Sequence, residues 1–285
     1  MINDAMRLPV VAGSFYPEDK EKLIDLIRSC FLSKFGPGHM PGKKEKGVNA
    51  VIVPHAGYFY SGPCAAFAYK AISESINPDL FVLLGPSHSG FMSCVSLQDW
   101  VTPMGVVKAD RDFGRKFIAN SGLLQDSDAH KNEHSIEVQL PFLQFIVDNP
   151  LILPVMIAEN CDYKKVADAL KKTVAETGKK IIIICSSDFT HLGSNYGFVP
   201  FHKRIKENMH ALDAGAIDKI RAVSPEGFLD YIDKTKATIC GRWPIAVLLH
   251  YLKKSDVRLL KYYTSADITE SEYDTAVGYA SIEFR

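Results

Sequence analysis

Three short apolar runs in this chain each end in a loop that carries histidine. Residues 48–53 run into PHAGY at 54–58, residues 81–84 into GPSHSG at 85–90, and residues 181–185 into SSDFTH at 186–191. In open α/β sheets, ligands sit beyond the carboxyl ends of the strands, where loops converge on a rigid support. His55, His88, Asp188 and His191 are therefore expected in one crevice. A single histidine after a strand is ordinarily a loop or capping residue. Three repeats of the same placement argue for a shared site. Two neutral imidazoles with one anionic side chain suit a divalent transition metal, and they leave coordination positions open for substrate or oxygen.

Residue types alone leave the third ligand open. Asp188 would complete a two-histidine, one-carboxylate triad, and Glu137 competes with it because His134 and Glu137 are one helical turn apart. Cys240 is the other candidate. It stands in TICGRWP at 238–244, just before an apolar helical stretch at 244–252, where a helix N-terminus together with Arg242 would favour a thiolate. Cys30, Cys64, Cys94, Cys161 and Cys185 read as inert core thiols. Tyr58, Tyr60, Phe189 and Trp243 flank the ligand loops and offer aromatic walls, with ordinary packing as the simpler role.

These residues need elements to hold them. The runs at 48–53, 81–84 and 181–185 are apolar apart from Asn49 and do not alternate, as is usual for strands buried on both faces. Helical periodicity covers 18–32, 62–74, 111–121, 135–148 and 163–177, with Gly178 as a stop. Pro141 predicts a kink or helix start near it, and Pro63 fits a first turn with Ser61 as N-cap. Residues 92–101 and 106–110 flank TPMG at 102–105 and predict a hairpin, and 275–284 alternates like a further strand. The stretch FGPGHMPGKKEKGV at 35–48 reads as an exposed loop. The expectation is one α/β domain over 1–285, with a central, mixed, largely buried sheet flanked by helices.

Composition removes other classes. The 33 basic and 33 acidic side chains cancel, which leaves no overall field to draw in nucleic acid or an anionic membrane. No apolar run approaches the ~20 residues that span a bilayer, and the polar start MINDAMRLPV lacks a signal-peptide core. The six cysteines are scattered without a CxxC pair, so neither disulfide stapling nor a zinc ribbon is expected. A cytoplasmic location follows as an expectation.

Six segments, RLPVVAGSFYPEDK (7–20), PHAGYFYSGP (54–63), LGPSHSGF (84–91), EHSIEVQLPFLQF (133–145), CSSDFTHLGS (185–194) and CGRWPIA (240–246), occur in order along nearly the whole chain. Together they resemble the signature stretches of the Memo family. The resemblance implies a fold similar to the class III extradiol dioxygenases of the LigB type, which are nonheme iron enzymes. It also implies His55, His88 and Cys240 as metal ligands, with Asp188 and His191 in the same pocket. The cysteine stands where those dioxygenases carry a glutamate, so ring cleavage does not transfer with the fold. The expected cofactor is iron(II), with copper or zinc as alternatives. His134, Glu137, Tyr58 and Arg242 are assigned to the pocket or to support of its ligands.

Two functions compete on this site. In a metal-dependent oxidoreductase, His191 would act as acid/base, oriented by Asp188, on a small molecule. In a non-catalytic module, the resemblance implies a pocket that holds a phosphorylated aromatic group such as a phosphotyrosine peptide, with Arg242 and the imidazoles around it. The resemblance further implies, for microbial members, association with a radical S-adenosylmethionine protein and a third pathway protein. Nucleophilic hydrolysis by Cys240 is weaker, because neither a phosphatase loop nor a GxSxG elbow is present.

Overall fold

A computed structural model describes residues 6–42, 47–76, 78–270 and 273–285. The first five residues of the polar start and residues 43–46 of the expected loop lie outside them. One mixed sheet of twelve strands runs through the molecule, and it does not close into a barrel. Its centre is parallel, in the spatial order Gly105–Ala109, Leu151–Ile157, Leu80–Pro86, Ile181–Ser186, Ala50–Val53. Ala276–Phe284 adds antiparallel to Ala50–Val53, and Val257–Thr264 pairs with it in turn.

The uniformly apolar strands feed two cores. Ile52, Val82, Leu84, Ile183 and Cys185 face one side, whereas Val51, Val53, Phe81, Leu83, Ile182 and Ile184 face the other. Successive side chains point to opposite faces of a strand, so a strand covered on both sides has no polar positions left. Helices Arg111–Ser121, Tyr163–Thr177 and Arg242–Leu252 pack together on the first side, and Lys20–Leu32, Tyr58–Ser73 and Gln139–Ile146 on the second. Capping fixes several of these helices. Asp19, Asp110 and Asp162 each accept a backbone N–H of the first turn, and Gly122 and Gly178 end their helices at φ 73° and 68°, in the left-handed region that glycine adopts without strain.

Several expectations change in detail. The second helix starts at Tyr58, not near Pro63, with Gly57 as its N-cap, so Pro63 lies inside it. The bond that Pro63 cannot make would go to Phe59, an exposed residue of the first turn. Residues 135–138 form turns, and the helix begins at Gln139, two residues before Pro141. The hairpin forms between Asp99–Thr102 and Gly105–Ala109, while Cys94–Val95 pairs elsewhere, with Leu151–Ile157 and Leu124–Gln125. Helices Ile205–Arg221 and Pro225–Thr235 and the strand Val257–Thr264 were not expected.

Candidate metal centre

Strands Leu80–Pro86, Ile181–Ser186 and Ala50–Val53 are parallel neighbours, so the loops that follow them leave the sheet at one end. His55, His88, Asp188 and His191 there line a cavity of about 800 Å³. Cys240 arrives from a different direction, two residues before helix Arg242–Leu252. Gly241 makes that approach feasible: its N–H donates to Ser187 Oγ at 3.0 Å, and a Cβ on it would lie 2.3 Å from Ser187 Cβ.

One ring nitrogen each of His55 and His88 and the Cys240 Sγ lie within 4.8 Å of one another. The His55 Nε2 to Sγ distance is 3.3 Å. Metal–nitrogen bonds of about 2.0–2.1 Å and metal–sulfur bonds of about 2.3 Å place adjacent ligand atoms roughly 3–3.6 Å apart, so this pair fits a common ion. The opposite edges of both rings are occupied. His55 Nδ1 is 2.9 Å from Ser186 Oγ, whose own hydrogen goes to the Ser135 carbonyl. His88 Nδ1 is 2.9 Å from Glu133 Oε1. Both imidazoles thus carry hydrogen at Nδ1 and keep Nε2 for the cavity, as hydrogen-bonded partners of metal-binding histidines arrange.

Electrostatics separates the members. Burial, reinforced by the neighbouring His88, His134 and His191, holds His55 well below the ordinary imidazole range, so it is neutral. Burial also opposes charge on His88, but the hydrogen bond and charge of Glu133 outweigh it and raise His88. Glu133 is fully buried, yet its bonds from His88 and from the backbone N–H groups of His88 and Ser135 bring it down to about 2. Asp188 is raised by burial, against the pull of His191 and the backbone N–H of His55, which it accepts at 2.8 Å. The Cys240 thiol is raised by burial and by the Asp188 carboxylate. The expected activation by Arg242 does not occur, because that guanidinium turns to Asp233 at 2.8 Å and lies over Trp243. A bound cation is what would stabilise the thiolate here.

The remaining assignments divide. His134 lines the cavity and stacks on His88 with ring centroids 4.8 Å apart. Glu137 is three residues on, but its carboxylate is taken up by other partners. It pairs with the buried Arg7 and accepts from Tyr16 Oη at 2.6 Å and from the Val10 and Val11 N–H groups. It is outside the metal-capable group and holds the N-terminal segment that brings Phe15 to the cavity wall, 5.0 Å from the His134 ring. Tyr58 is in the core, donating to the Val138 carbonyl at 2.6 Å, and Phe189 is likewise fully buried, while Tyr60 lines the cavity. Neither Tyr58 nor Arg242 is among the cavity's lining residues.

Sequence reasoning missed Glu133, Ser186 and Gln139. Gln139 Nε2 donates to Ser186 Oγ at 2.9 Å and to the Pro54 carbonyl at 3.0 Å, bracing the group that orients His55. The signal for Glu133 was its position beside His134 in EHSIE.

The open, mixed α/β sheet is consistent with a LigB-like fold, and beyond its parallel strands it carries a two-histidine, one-cysteine group that could hold a metal ion. The chain matches the family model described as Memo-like protein over residues 7–283. It is 36% identical to a MEMO1 family protein of Methanopyrus kandleri over 291 residues, covering 98% of this chain and 99% of that one. A MEMO1 family protein of Pyrococcus horikoshii is 37% identical over 294 residues, covering 97% and 98%. The chain belongs to the Memo family.

Proposed function

We propose that this protein is a metal-dependent oxidoreductase that holds iron(II), or alternatively copper, through His55, His88 and Cys240. The observation that supports this most is the orientation of the donors: two imidazoles bonded at Nδ1 by Ser186 and Glu133, with His55 Nε2 3.3 Å from the Cys240 sulfur. When bound, such an ion supplies Lewis acidity and one-electron chemistry. The chain supplies the rest. His191 Nδ1 lies 3.1 Å from the Thr238 carbonyl, which keeps hydrogen there and leaves Nε2 to take a proton from a ligand in the cavity. Asp188 holds the His55 backbone and adds negative charge near His191.

A phosphate-binding module finds less support. The cavity lining contains no arginine or lysine among the described residues, and Arg242 is engaged with Asp233. No helix among the described residues is long and apolar enough to cross a membrane. The test is metal content of anaerobically purified protein together with oxygen uptake on catechols and other oxidisable aromatics. We expect near-stoichiometric iron or copper, and an oxygen uptake that His191→Ala abolishes while metal is retained. Metal-loaded protein that consumes no oxygen across that panel would overturn the oxidoreductase reading.

A further inference from the structure

Asp213, in the middle of helix Ile205–Arg221, is a fully buried carboxylate that the metal centre does not use. It has no ion-pair partner among the described residues. Its Oδ1 accepts from the Thr190 hydroxyl at 2.5 Å and from the Thr190 N–H at 3.2 Å, and its Oδ2 accepts from Tyr262 Oη at 2.7 Å. Thr190 is the residue before His191. The same short segment is clamped from the sheet side, since Phe189 N–H donates to the Gly278 carbonyl and Gly278 N–H to the Thr190 carbonyl, at 2.8 and 3.0 Å. Gly278 is needed there, because a Cβ would stand 2.3 Å from Asp213 Oδ2. Beyond Thr190, His191 N–H donates to Thr238 Oγ1 at 2.9 Å.

We infer that Asp213 is a positioning residue for His191: through Thr190 it fixes the 188–191 segment and with it the place of the imidazole in the cavity. A surface-facing helix has no need of a carboxylate on its buried side. Simple packing there is served by an apolar residue at no desolvation cost, and a buried carboxylate is tolerated only when specific donors compensate it. The titratable groups facing Asp213 are Tyr262 from strand Val257–Thr264, Tyr231 from helix Pro225–Thr235 and His191 from the clamped segment. Burial raises Asp213 to about 6, while Thr190, Tyr262 and the charge of His191 favour its ionised form.

This role rests on the reading of His191 as the acid/base group, but its test is independent of any turnover. Asp213→Ala removes the acceptor of Thr190, whereas Asp213→Asn retains one. In the full chain, nitrogen-15 NMR should show the His191 ring resonances displaced in Asp213→Ala and close to wild type in Asp213→Asn, with metal uptake unchanged in both. If Asp213→Ala does not fold, Thr190→Val serves instead: it keeps the backbone N–H, removes the hydroxyl, and should shift the His191 ring resonances. A folded Asp213→Ala, or in its place a Thr190→Val, with unchanged His191 ring resonances overturns the inference. Failure of the oxidoreductase reading would appear separately, as absent oxygen uptake with the His191 response intact.

Discussion

Glu133 and Glu137 are four residues apart, both fully buried, and both surrounded by hydrogen-bond donors. One reaches the metal-capable group by holding His88, and the other turns away to hold Arg7 and the N-terminal segment. The non-helical backbone at 133–138 causes the difference, because it sends neighbouring side chains in divergent directions where a regular helix would stack them. A carboxylate near a candidate site is thus defined by what it holds, and its spacing from a histidine does not decide that.

The contrast breaks most visibly through stability. Glu137→Ala strands the Arg7 guanidinium in the core, and we expect a loss of about 3–5 kcal/mol in chemical denaturation. An effect below about 1 kcal/mol would mean that Arg7 finds water or another partner. Acid should act on the other carboxylate. Glu133 has a folded-state value of about 2, below its ordinary 4.5, so its contribution is present above about pH 4.5 and is lost as pH falls toward 2. That contribution is on the order of 3 kcal/mol. The difference in stability between wild type and Glu133→Gln should shrink over this window.

Metal affinity then isolates the effect of Glu133. Glu133→Gln removes the anion that orients His88 and should weaken metal binding by about 10–100-fold, read by competition with a chelator. Asp213→Asn should leave that affinity unchanged. The smallest effect is expected for Arg242→Ala. Its partner Asp233 is well exposed, so the cost should be about 0–1 kcal/mol, with metal content unaffected although Arg242 is two residues from Cys240.

How much of this was legible follows from how local each signal is. His55 and His88 each follow a strand that reads as buried, so their arrival at one end of the sheet needs only parallel neighbours. Cys240 depends on Gly241 passing close to Ser187, a contact 54 residues apart that no local pattern carries. Its place before a helix made it one of three candidates, and the family resemblance chose it among them. Arg7 and Glu137 are 130 residues apart, and the pair is invisible until the chain is folded. The strand Val257–Thr264 was missed because it is an edge strand carrying Arg258 and Lys261 among its apolar residues, as edges do to resist further pairing. Asp213 sits in a helix rich in charge, where nothing in the sequence marks it as the buried member.

The central claim is a mixed nitrogen and sulfur ligand set, and X-ray absorption spectroscopy of metal-loaded protein tests it most directly. The account predicts one sulfur neighbour at about 2.3 Å beside nitrogen neighbours, with the sulfur lost in Cys240→Ser and the nitrogen shell depleted in His55→Ala. A wild-type shell of nitrogen and oxygen alone, unchanged by Cys240→Ser, would contradict it.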